Sequence, residues 1–574
     1  MKKYINYTII LLLASSFIAC KKDLDKTPQG VVFEESLETP DNVEKMVIAA
    51  YSALGNDHWS VPYTSLWTYG SVRGGDAYKG GAGAGDQADV NAYELFSLNR
   101  VDLGASDGVW FRLYVAISRC NTALALINKM SPAQYPQKNQ RIAEVKFLRG
   151  HFYFLLKVLF NRVPYFDETI ERASYETVGN TVLTSDELWE KIAADFKFAV
   201  DNLPVTQGDK NRIKKGAASA YLAKTRLYQA YKQDERNNVI SIDQDKLQQV
   251  IVNCDAVINS GTYSLANDYA NNFLSQFENG PESVFAIAFS KDDNTPTGRL
   301  HIGVGTNYPM NAEYGCCGFH QPSNNLVNAY KTDQSGLPMI NNYNNNDVVP
   351  SNGYKTNTFD PRLDHTVAIP GHPYKYQQNL VYQAAWARDV AAYGALMSLK
   401  EVVAYTDPTF TKFPPFVSSS KDWEVIRYSD ILLMKAEALI ELNRESEALP
   451  LINAVRTRAK ASTTLLKQAD GSATSNYLVN TYVPGVNCVW TNGYARQALR
   501  FERRLEFAME GYRFFDLVRW GIASEFINDY FNVEKNRTPH LAGAQFQKNR
   551  DEYLPIPQNQ INYSKGLYKQ NAGW

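Results

Sequence analysis

Aromatic and planar polar side chains are concentrated in three segments of the chain that show no helical pattern. These segments lie at about residues 54–79, 314–320 and 374–389. Exposed aromatic rings can stack on the C–H faces of sugars, while Asp, Asn and Arg side chains bind the hydroxyl groups. The candidate ligand-binding residues are Asn56, Asp57, Trp59, Trp67, Tyr69, Arg73, Asp76, Tyr78, Tyr314, Cys316, His320, Trp386 and Arg388.

We expect the three segments to meet at one end of a helical scaffold, because binding groups usually lie in irregular segments carried by rigid elements. Trp67 is the predicted stacking ring, and its expected neighbours are Trp59, Tyr69 and Tyr78. The expected hydroxyl partners are Asp57, Arg73, Asp76 and Arg388. The alternative is that rings such as Trp67 and Trp386 fill gaps between loops and helices.

The densest charge cluster lies between residues 500 and 519. Two of its carboxylates could form the acid–base pair of a glycoside hydrolase. However, acids and arginines alternate at three- and four-residue spacing, which is typical of ion pairs along and between helices. Arginines also lower the pKa of a carboxyl group, the wrong direction for a general acid. We therefore predict ion pairs and no catalytic residue among Arg500, Glu502, Arg503, Arg504, Glu506, Glu510, Arg513, Asp516 and Arg519.

Other cofactor and polyanion sites find little support in the sequence. The glycine run at residues 80–85 lacks the Lys-Ser/Thr of a phosphate-binding loop, so we interpret it as a mobile loop. The seven histidines show no metal-ligand spacing, and the Asn-rich tract at 341–347 lacks the alternation of a calcium loop. A net charge of −1 provides no field for nucleic acid. We predict no metal, no other cofactor and no nucleic-acid partner.

The N-terminus resembles a bacterial secretory signal. Lys2 and Lys3 precede an apolar run that is too short for a membrane span, and small residues follow. The sequence Phe17-Ile18-Ala19-Cys20 is similar to a lipobox, in which the cysteine is acylated and holds the protein on a membrane. The prediction is a signal peptide at 1–19, lipidation of Cys20 and a lipid-anchored tether at 20–38. The alternative is an ordinary signal peptide with a chance cysteine.

The five remaining cysteines are widely spaced and fit no zinc motif. Because five is an odd number, at least one thiol has no partner within the chain. We expect most of them to be small buried residues.

The pattern of the rest of the chain predicts helices on both sides of a loop-rich insertion. Apolar residues recur at three and four, as at Val145, Leu148, Phe152, Leu155 and Leu159. Helices are predicted at 40–54, capped by Thr39, and at 108–130, 138–159, 185–202, 212–231, 244–259, 424–443, 445–460 and 495–521. Eleven of the 24 prolines lie between Pro296 and Pro415, which indicates loops and short strands there. The tail after residue 521 is expected to be extended.

These patterns predict a mainly α fold. Its core would be a tetratricopeptide-like helical stack, although no clean 34-residue repeat is visible. A large loop-rich, strand-poor insertion would form the ligand-binding face.

Several motifs follow one another along nearly the whole chain. They include Ala143–Gly150, Asp360-Pro361-Arg362-Leu363, Glu510–Leu517, Pro555-Ile556-Pro557 and the closing Gln570-Asn571-Ala572-Gly573-Trp574. In this order and spacing they resemble the SusD/RagB family of Bacteroidetes outer-membrane lipoproteins, with Ala572 where proline is usual.

The resemblance implies a lipid-anchored, non-catalytic protein on the outer-membrane cell surface. Such a protein binds oligosaccharide or polysaccharide and delivers it to a SusC-like TonB-dependent transporter, touching the membrane only through its anchor. It also implies an N-terminal helical region at 39–280 and a C-terminal region at 281–574, packed as one compact unit. The alternatives are a peptide-binding member of the family, a surface glycoside hydrolase and a repeat scaffold without a small ligand.

Overall fold

The computed structural model describes residues 37–98, 101–294, 299–349, 352–413 and 416–574. The predicted signal peptide, Cys20 and all but the last two residues of the tether lie outside these ranges. Within the described ranges, no helix combines the length and the apolar character that a membrane span requires.

Seven α-helices form the part of the described structure that precedes residue 281. They are α1 (Pro40–Tyr51), α2 (Ala88–Leu95), α3 (Gly104–Lys129), α4 (Lys138–Phe160), α5 (Ser185–Asn202), α6 (Lys215–Ala230) and α7 (Gln244–Ile258). From α3 to α7 each helix packs on the next, and α1 packs on α3. Helix starts follow local capping: the side chain of Thr39 accepts a hydrogen bond from the Asn42 amide, and Thr184 and Glu187 form a reciprocal capping box.

The middle of the chain is irregular, as the prolines predict. It holds three short helices, α8 (Asn324–Ala329), α9 (Arg362–Thr366) and α10 (Val390–Tyr393). The strands of the described residues are β1 (Ala77–Gly80), β2 (Tyr231–Gln233), β3 (Val239–Ile242), β4 (Ser283–Ile287), β5 (Phe319–Pro322), β6 (Lys331–Thr332), β7 (Thr358–Phe359), β8 (Val367–Ala368), β9 (Pro373–Tyr374), β10 (Gln377–Val381), β11 (Met397–Ser398), β12 (Phe410–Phe413), β13 (Phe416–Ser419) and β14 (Trp423–Arg427). All pair antiparallel and in twos: β1 with β5, β2 with β3, β4 with β14, β6 with β7, β8 with β11, β9 with β10 and β12 with β13.

Six helices follow the insertion and return to the stack. They are α11 (Tyr428–Glu441), α12 (Glu445–Ala461), α13 (Asn492–Phe507), α14 (Arg513–Arg519), α15 (Ala523–Glu534) and α16 (Gln558–Tyr563). Helix α11 packs on α7 of the N-terminal part and on α12 and α13. One hydrophobic core therefore contains residues of both parts, from Val47 of α1 to Leu433 of α11 and Leu554 near the C-terminus. The boundary at residue 280 stays a prediction.

The mainly α fold with small sheets is confirmed, and most predicted helices lie within a few residues of their expected bounds. Two details were wrong. The helix predicted at 495–521 is broken at Gly511, whose φ is +85° and whose Cβ would lie 2.0 Å from the carbonyl oxygen of Ser65. The tail is not extended, because Ala523, Ile527, Tyr530 and Phe531 give α15 one buried face.

Buried ion pairs hold α13 to the insertion and to α12. Glu506 of α13 binds Arg362, Arg427 and Arg458 at 2.9, 2.7 and 2.5 Å, and Glu282 binds the last two arginines at 2.8 and 2.6 Å. Burial alone would raise the pKa of Glu506. The charges of the three arginines outweigh this effect and hold the pKa well below its ordinary value. Glu506 is therefore a structural anion.

The same network continues on both sides of Glu506, to Glu502 within α13 and to Glu510 just after its C-terminal end. Glu502 binds Arg362 and Arg456 at 2.7 and 3.0 Å, and Glu510 binds Lys400 and Arg427, both at 2.8 Å. The term buried ion network refers below to Glu282, Arg362, Lys400, Arg427, Arg456, Arg458, Glu502, Glu506 and Glu510.

A second set of ion pairs fixes α14. Asp516 binds Arg503 and Arg519, and Arg503 also reaches Asp430 of α11. Burial raises the pKa of Asp516, but the two arginines bring it down to about 2. The prediction that the charges at 500–519 form ion pairs is thus confirmed for Glu502, Arg503, Arg504, Glu506, Glu510, Asp516 and Arg519.

Glu506→Gln tests how strongly the buried ion network holds the fold. The substitution leaves three buried guanidinium groups short of one negative charge, and breaking a buried pair costs about 3–5 kcal/mol. We expect a loss of that size in the free energy of unfolding, measured by urea denaturation. Glu447→Gln is the control, because its ion pair with Arg444 is exposed and screened by solvent, so its loss should change the stability little. Equal losses in the two variants would contradict this account.

Candidate ligand-binding surface

The three segments singled out from the sequence converge, as predicted. Strand β1 pairs with β5, which places Tyr78 opposite Gln321. The ring of Tyr314 lies 5.5 Å from that of Tyr374. A Cβ on Gly318 would lie 3.0 Å from the Cβ of Arg388, so these backbones are in close contact. Segments distant in sequence therefore form one continuous region.

Trp67 lies inside this region and is fully buried. Its indole Nε1 donates a hydrogen bond of 3.1 Å to the carbonyl oxygen of Gly303, and its ring packs 5.3 Å from His320. His320 is buried too, with its Nδ1 2.6 Å from Oε1 of Glu401. The prediction that Trp67 is an exposed stacking ring and His320 a ligand contact is wrong, because the β1–β5 pair and residues 301–304 cover both.

Three further candidates, Asp57, Tyr69 and Tyr78, are also buried inside the fold. Tyr69 packs against Tyr93, with ring centroids 5.5 Å apart, and Tyr78 is hydrogen-bonded to Glu534 of α15. Asp57 is 7% exposed, and burial raises its pKa to about 7. For Asp57, Tyr69 and Tyr78, a role in contacting a ligand is therefore wrong.

Arg73 and Asp76 also form internal contacts. Arg73 donates to the carbonyl oxygen of Asp551 at 2.6 Å and covers the ring of Phe514 at 4.0 Å. Asp76 accepts from Arg504 at 2.9 Å. Neither side chain is free to bind a hydroxyl group from solvent, so these two predictions are wrong as well.

Lys79 fills the glycine run that follows β1. Its ammonium group donates to the carbonyl oxygens of Gly80, Gly83 and Asp86 at 2.8, 2.9 and 2.8 Å. The backbone of this loop thus binds the ammonium group of Lys79 through three carbonyl oxygens.

Three partly buried rings pack on one core of buried tyrosines, to which the segments at 314–320 and 374–389 both contribute. Trp386 packs on Tyr374 and Tyr382, with ring centroids 5.9 and 5.4 Å apart. Tyr405 and Phe410 pack on the ring of Tyr314 at 6.1 and 5.7 Å. We call Trp386, Tyr405 and Phe410 the aromatic platform.

The aromatic platform rests on a small hydrophobic core of its own. Four of its ten buried residues are tyrosines, and the phenol oxygen of Tyr314 accepts a hydrogen bond of 3.0 Å from the Tyr405 amide. The four are Tyr308, Tyr314, Tyr374 and Tyr382. The prediction of Tyr314 as a direct ligand contact is wrong because the residue is 1% exposed; it supports rings that are exposed.

Three of the remaining predicted residues, Asn56, Trp59 and Arg388, are at least partly exposed. Arg388 is paired with Asp86 at 2.9 Å, and both side chains are about one-third exposed, at 31% and 28%. Trp59 is half-buried against Phe416 at the tip of the β12–β13 hairpin. The main chain of Asn56 accepts a hydrogen bond from Arg112, and its side chain is partly exposed. Of the predicted residues, Asn56, Trp59, Cys316, Trp386 and Arg388 remain available to a ligand.

Tyr405 and Phe410 were missed by the sequence analysis. They flank the turn Thr406-Asp407-Pro408. Residues 405–410 together thus combine aromatic and polar side chains, as the three chosen segments do. That composition was the available signal.

The cysteines fall into two groups. Cys316 and Cys317 form a disulfide, and Cys316 is partly exposed. Cys120 and Cys254 are buried free thiols, and Cys488 is free and half-buried. The prediction that at least one cysteine has no partner within the chain is confirmed. Among the described residues, no cluster of His, Cys, Asp and Glu could hold a metal ion.

Family models match two parts of the chain. Residues 281–574 match the model described as "SusD family", and residues 83–227 match one described as "Starch-binding associating with outer membrane". The first match covers more than half of the chain. This protein belongs to the SusD family.

Curated relatives and solved structures agree with this assignment. A SusD-like protein P2 of Formosa agariphila is 24% identical over 100% of both chains. A SusD homologue of Bacteroides thetaiotaomicron has the same fold, with a TM-score of 0.69 at 20% identity over 95% of this chain and 99% of that one. Surface glycan-binding protein A of the same organism, solved in complex with laminarihexaose, has a TM-score of 0.65 at 20% identity over 93% and 99%.

Trp67→Ala distinguishes a core tryptophan from a ligand-stacking one in this SusD-family protein. Truncating a buried Trp costs about 3–5 kcal/mol, whereas loss of the half-buried Trp59 ring is expected to cost no more than about 1.5 kcal/mol. We expect this difference in the free energies of unfolding of Trp67→Ala and Trp59→Ala, measured by denaturant titration. If Trp67→Ala is as stable as the wild type, the ring is not part of the core.

Proposed function

We propose that this protein binds a neutral oligosaccharide or polysaccharide on the aromatic platform and does not cleave it. The observation that carries the proposal is the arrangement of Trp386, Tyr405 and Phe410 on one buried tyrosine core. A stacking surface needs rings that reach solvent and yet do not move, and the platform meets both needs.

Rigidity is the physical advantage of this arrangement. The rings rest on buried neighbours, so little side-chain freedom remains to be lost when a sugar binds. The pair Arg388–Asp86 offers a donor and an acceptor beside the rings. Both groups already hold each other in place, as hydroxyl recognition requires.

Related proteins support glycan as the ligand class. One similar structure is a complex with laminarihexaose and another is described as a laminarin-binding SusD-like protein. The absence of cleavage rests on the carboxylates themselves. Burial raises the pKa of Glu506 and Asp516, but arginines bring it below the ordinary value, and a general acid needs the opposite shift. Asp57, whose pKa burial raises to about 7, is enclosed in the fold.

Location and partner follow from family membership. We propose that the protein is held on the outer-membrane cell surface by a lipid on Cys20 and passes its glycan to a SusC-like TonB-dependent transporter. The family description "associating with outer membrane" supports the location. Several acyl chains would give stable anchoring without any membrane-spanning helix.

Trp386→Ala tests the binding surface. Base–aromatic stacking in nucleic-acid proteins contributes about 1–3 kcal/mol per ring, and by analogy we expect binding to weaken about tenfold or more. Affinity electrophoresis in gels containing laminarin, xyloglucan or other neutral polysaccharides identifies the ligand, and calorimetry measures the loss.

Trp490→Ala is the matched control, because Trp490 is also half-buried but packs on Tyr482 and Tyr494, outside the platform. We expect it to bind as the wild type does. The proposal fails if no neutral polysaccharide retards the wild type, or if Trp386→Ala binds with unchanged affinity while folded by circular dichroism.

Cys20→Ser tests the anchor in cells. Without the thiol, no lipid can be attached, so we expect the variant to be released as soluble protein or to keep its uncleaved leader. Cys488→Ser is the control and should fractionate with the outer membrane, as the wild type should. Outer-membrane fractionation of a processed Cys20→Ser protein would contradict lipid anchoring.

A further inference from the structure

A cleft of about 440 Å³ opens between α13, α14, α15 and the segment that contains the Asn-rich tract. Asn341 and Asn344 line one side, and Arg500, Arg504 and Arg513 line the other. None of the residues of the aromatic platform borders it, so this cleft is separate from the proposed glycan surface.

Two arginines of the cleft have no carboxylate partner among the described residues. Arg500 and Arg513 contact rings only, and the Nε of Arg513 is buried without a hydrogen bond. The neighbouring arginines behave differently. Arg503 binds Asp430 and Asp516, and Arg504 binds Asp76. Arg500 and Arg513 therefore form no direct ion pair among the described residues, although Glu437 and Glu441 act on Arg500, and Asp76 and Asp516 on Arg513, from a greater distance.

Aromatic rings fix the two guanidinium groups. The guanidinium carbons of Arg500 and Arg513 lie 5.0 and 5.9 Å from the ring centroid of Trp520, and Arg513 lies 4.7 Å from that of Phe526. Cation–π contacts of this kind hold an arginine in place while leaving its N–H donors unused. Phe526 and Tyr343 are themselves partly exposed in the cleft.

We propose that this cleft binds a ring-shaped small molecule that carries an oxyanion, either a carboxylate or a sulfate. Arg500 and Arg513 would bind the anionic group, and Tyr343 and Phe526 would pack against the ring. The amides of Asn341 and Asn344 offer hydrogen bonds to its hydroxyl groups.

The charge balance favours an anion over a neutral ligand. A guanidinium group presents donors in a fork that matches two oxygens of a carboxylate or sulfate. Burial lowers the pKa of Arg513 to about 10, so the group stays charged at neutral pH, and the charges of Asp76 and Asp516 oppose this shift without forming an ion pair with it. Asp529 is the one carboxylate that lines the cleft within the described chain, and it is exposed.

The test uses calorimetry on the full chain with four probes. Trigalacturonate supplies carboxylates, a sulfated carrageenan tetrasaccharide supplies sulfates, inorganic sulfate supplies the anion alone, and maltotriose is the neutral control. We expect at least one charged oligosaccharide to bind more tightly than inorganic sulfate, with an affinity that falls as salt rises. Maltotriose should not compete with it.

The double variant Arg500→Gln/Arg513→Gln removes both unpaired charges. A hydrogen bond to a charged group contributes about 1.5–3 kcal/mol, so binding of the charged probe should weaken at least about tenfold. Arg236→Gln/Arg444→Gln removes two charges elsewhere, an exposed one and one in a solvent-exposed ion pair with Glu447, and should bind as the wild type does. The single variant Arg500→Gln keeps the test valid if the double variant does not fold.

Three results would overturn the inference. The charged oligosaccharides do not bind the wild type, or they bind no better than maltotriose. Alternatively, the single variant and the surface control lose the same affinity, which would indicate a general effect of net charge.

Discussion

The buried ion network centred on Glu506 is the constraint on which the remaining structure depends. It gathers arginines from α9, β14 and α12 around carboxylates of α13, all within a water-poor interior. Removing such charges from water costs several kcal/mol per ion, and only complete pairing in good geometry recovers that cost. The insertion can therefore dock on the helical stack in few positions other than the observed one.

The network also reaches the proposed binding surface through the chain. Lys400 binds Glu510 and the carbonyl oxygen of Glu506, and the next residue, Glu401, holds His320. His320 lies in β5, which pairs with β1 and lies against Trp67. The buried residues of segment 57–78 thus lie beneath the proposed binding region and support it. Their rings and charges support it from inside and do not face solvent.

The sequence predicted the helices, the ion pairs and the convergence of three segments, because these depend on periodic or local patterns. It did not distinguish Trp67 from Trp386, since both stand in irregular, polar-rich stretches of similar composition. The difference is tertiary. Trp67 is buried and donates a hydrogen bond to Gly303, which lies 236 residues away in the sequence. Trp386 packs on tyrosines of its own segment and stays partly exposed. Arg388 and Arg73 differ in the same way.

The same fold thus carries an aromatic platform and, at a separate place, a cleft in which Arg500 and Arg513 have no ion-pair partner among the described residues. The most direct measurement of the central claim is a crystal structure of the protein with a neutral oligosaccharide selected by affinity electrophoresis. The account predicts a sugar ring stacked on the indole of Trp386, with Tyr405 or Phe410 as its neighbour and Trp67 still buried. A sugar bound elsewhere, with Trp386 uncovered, would contradict it.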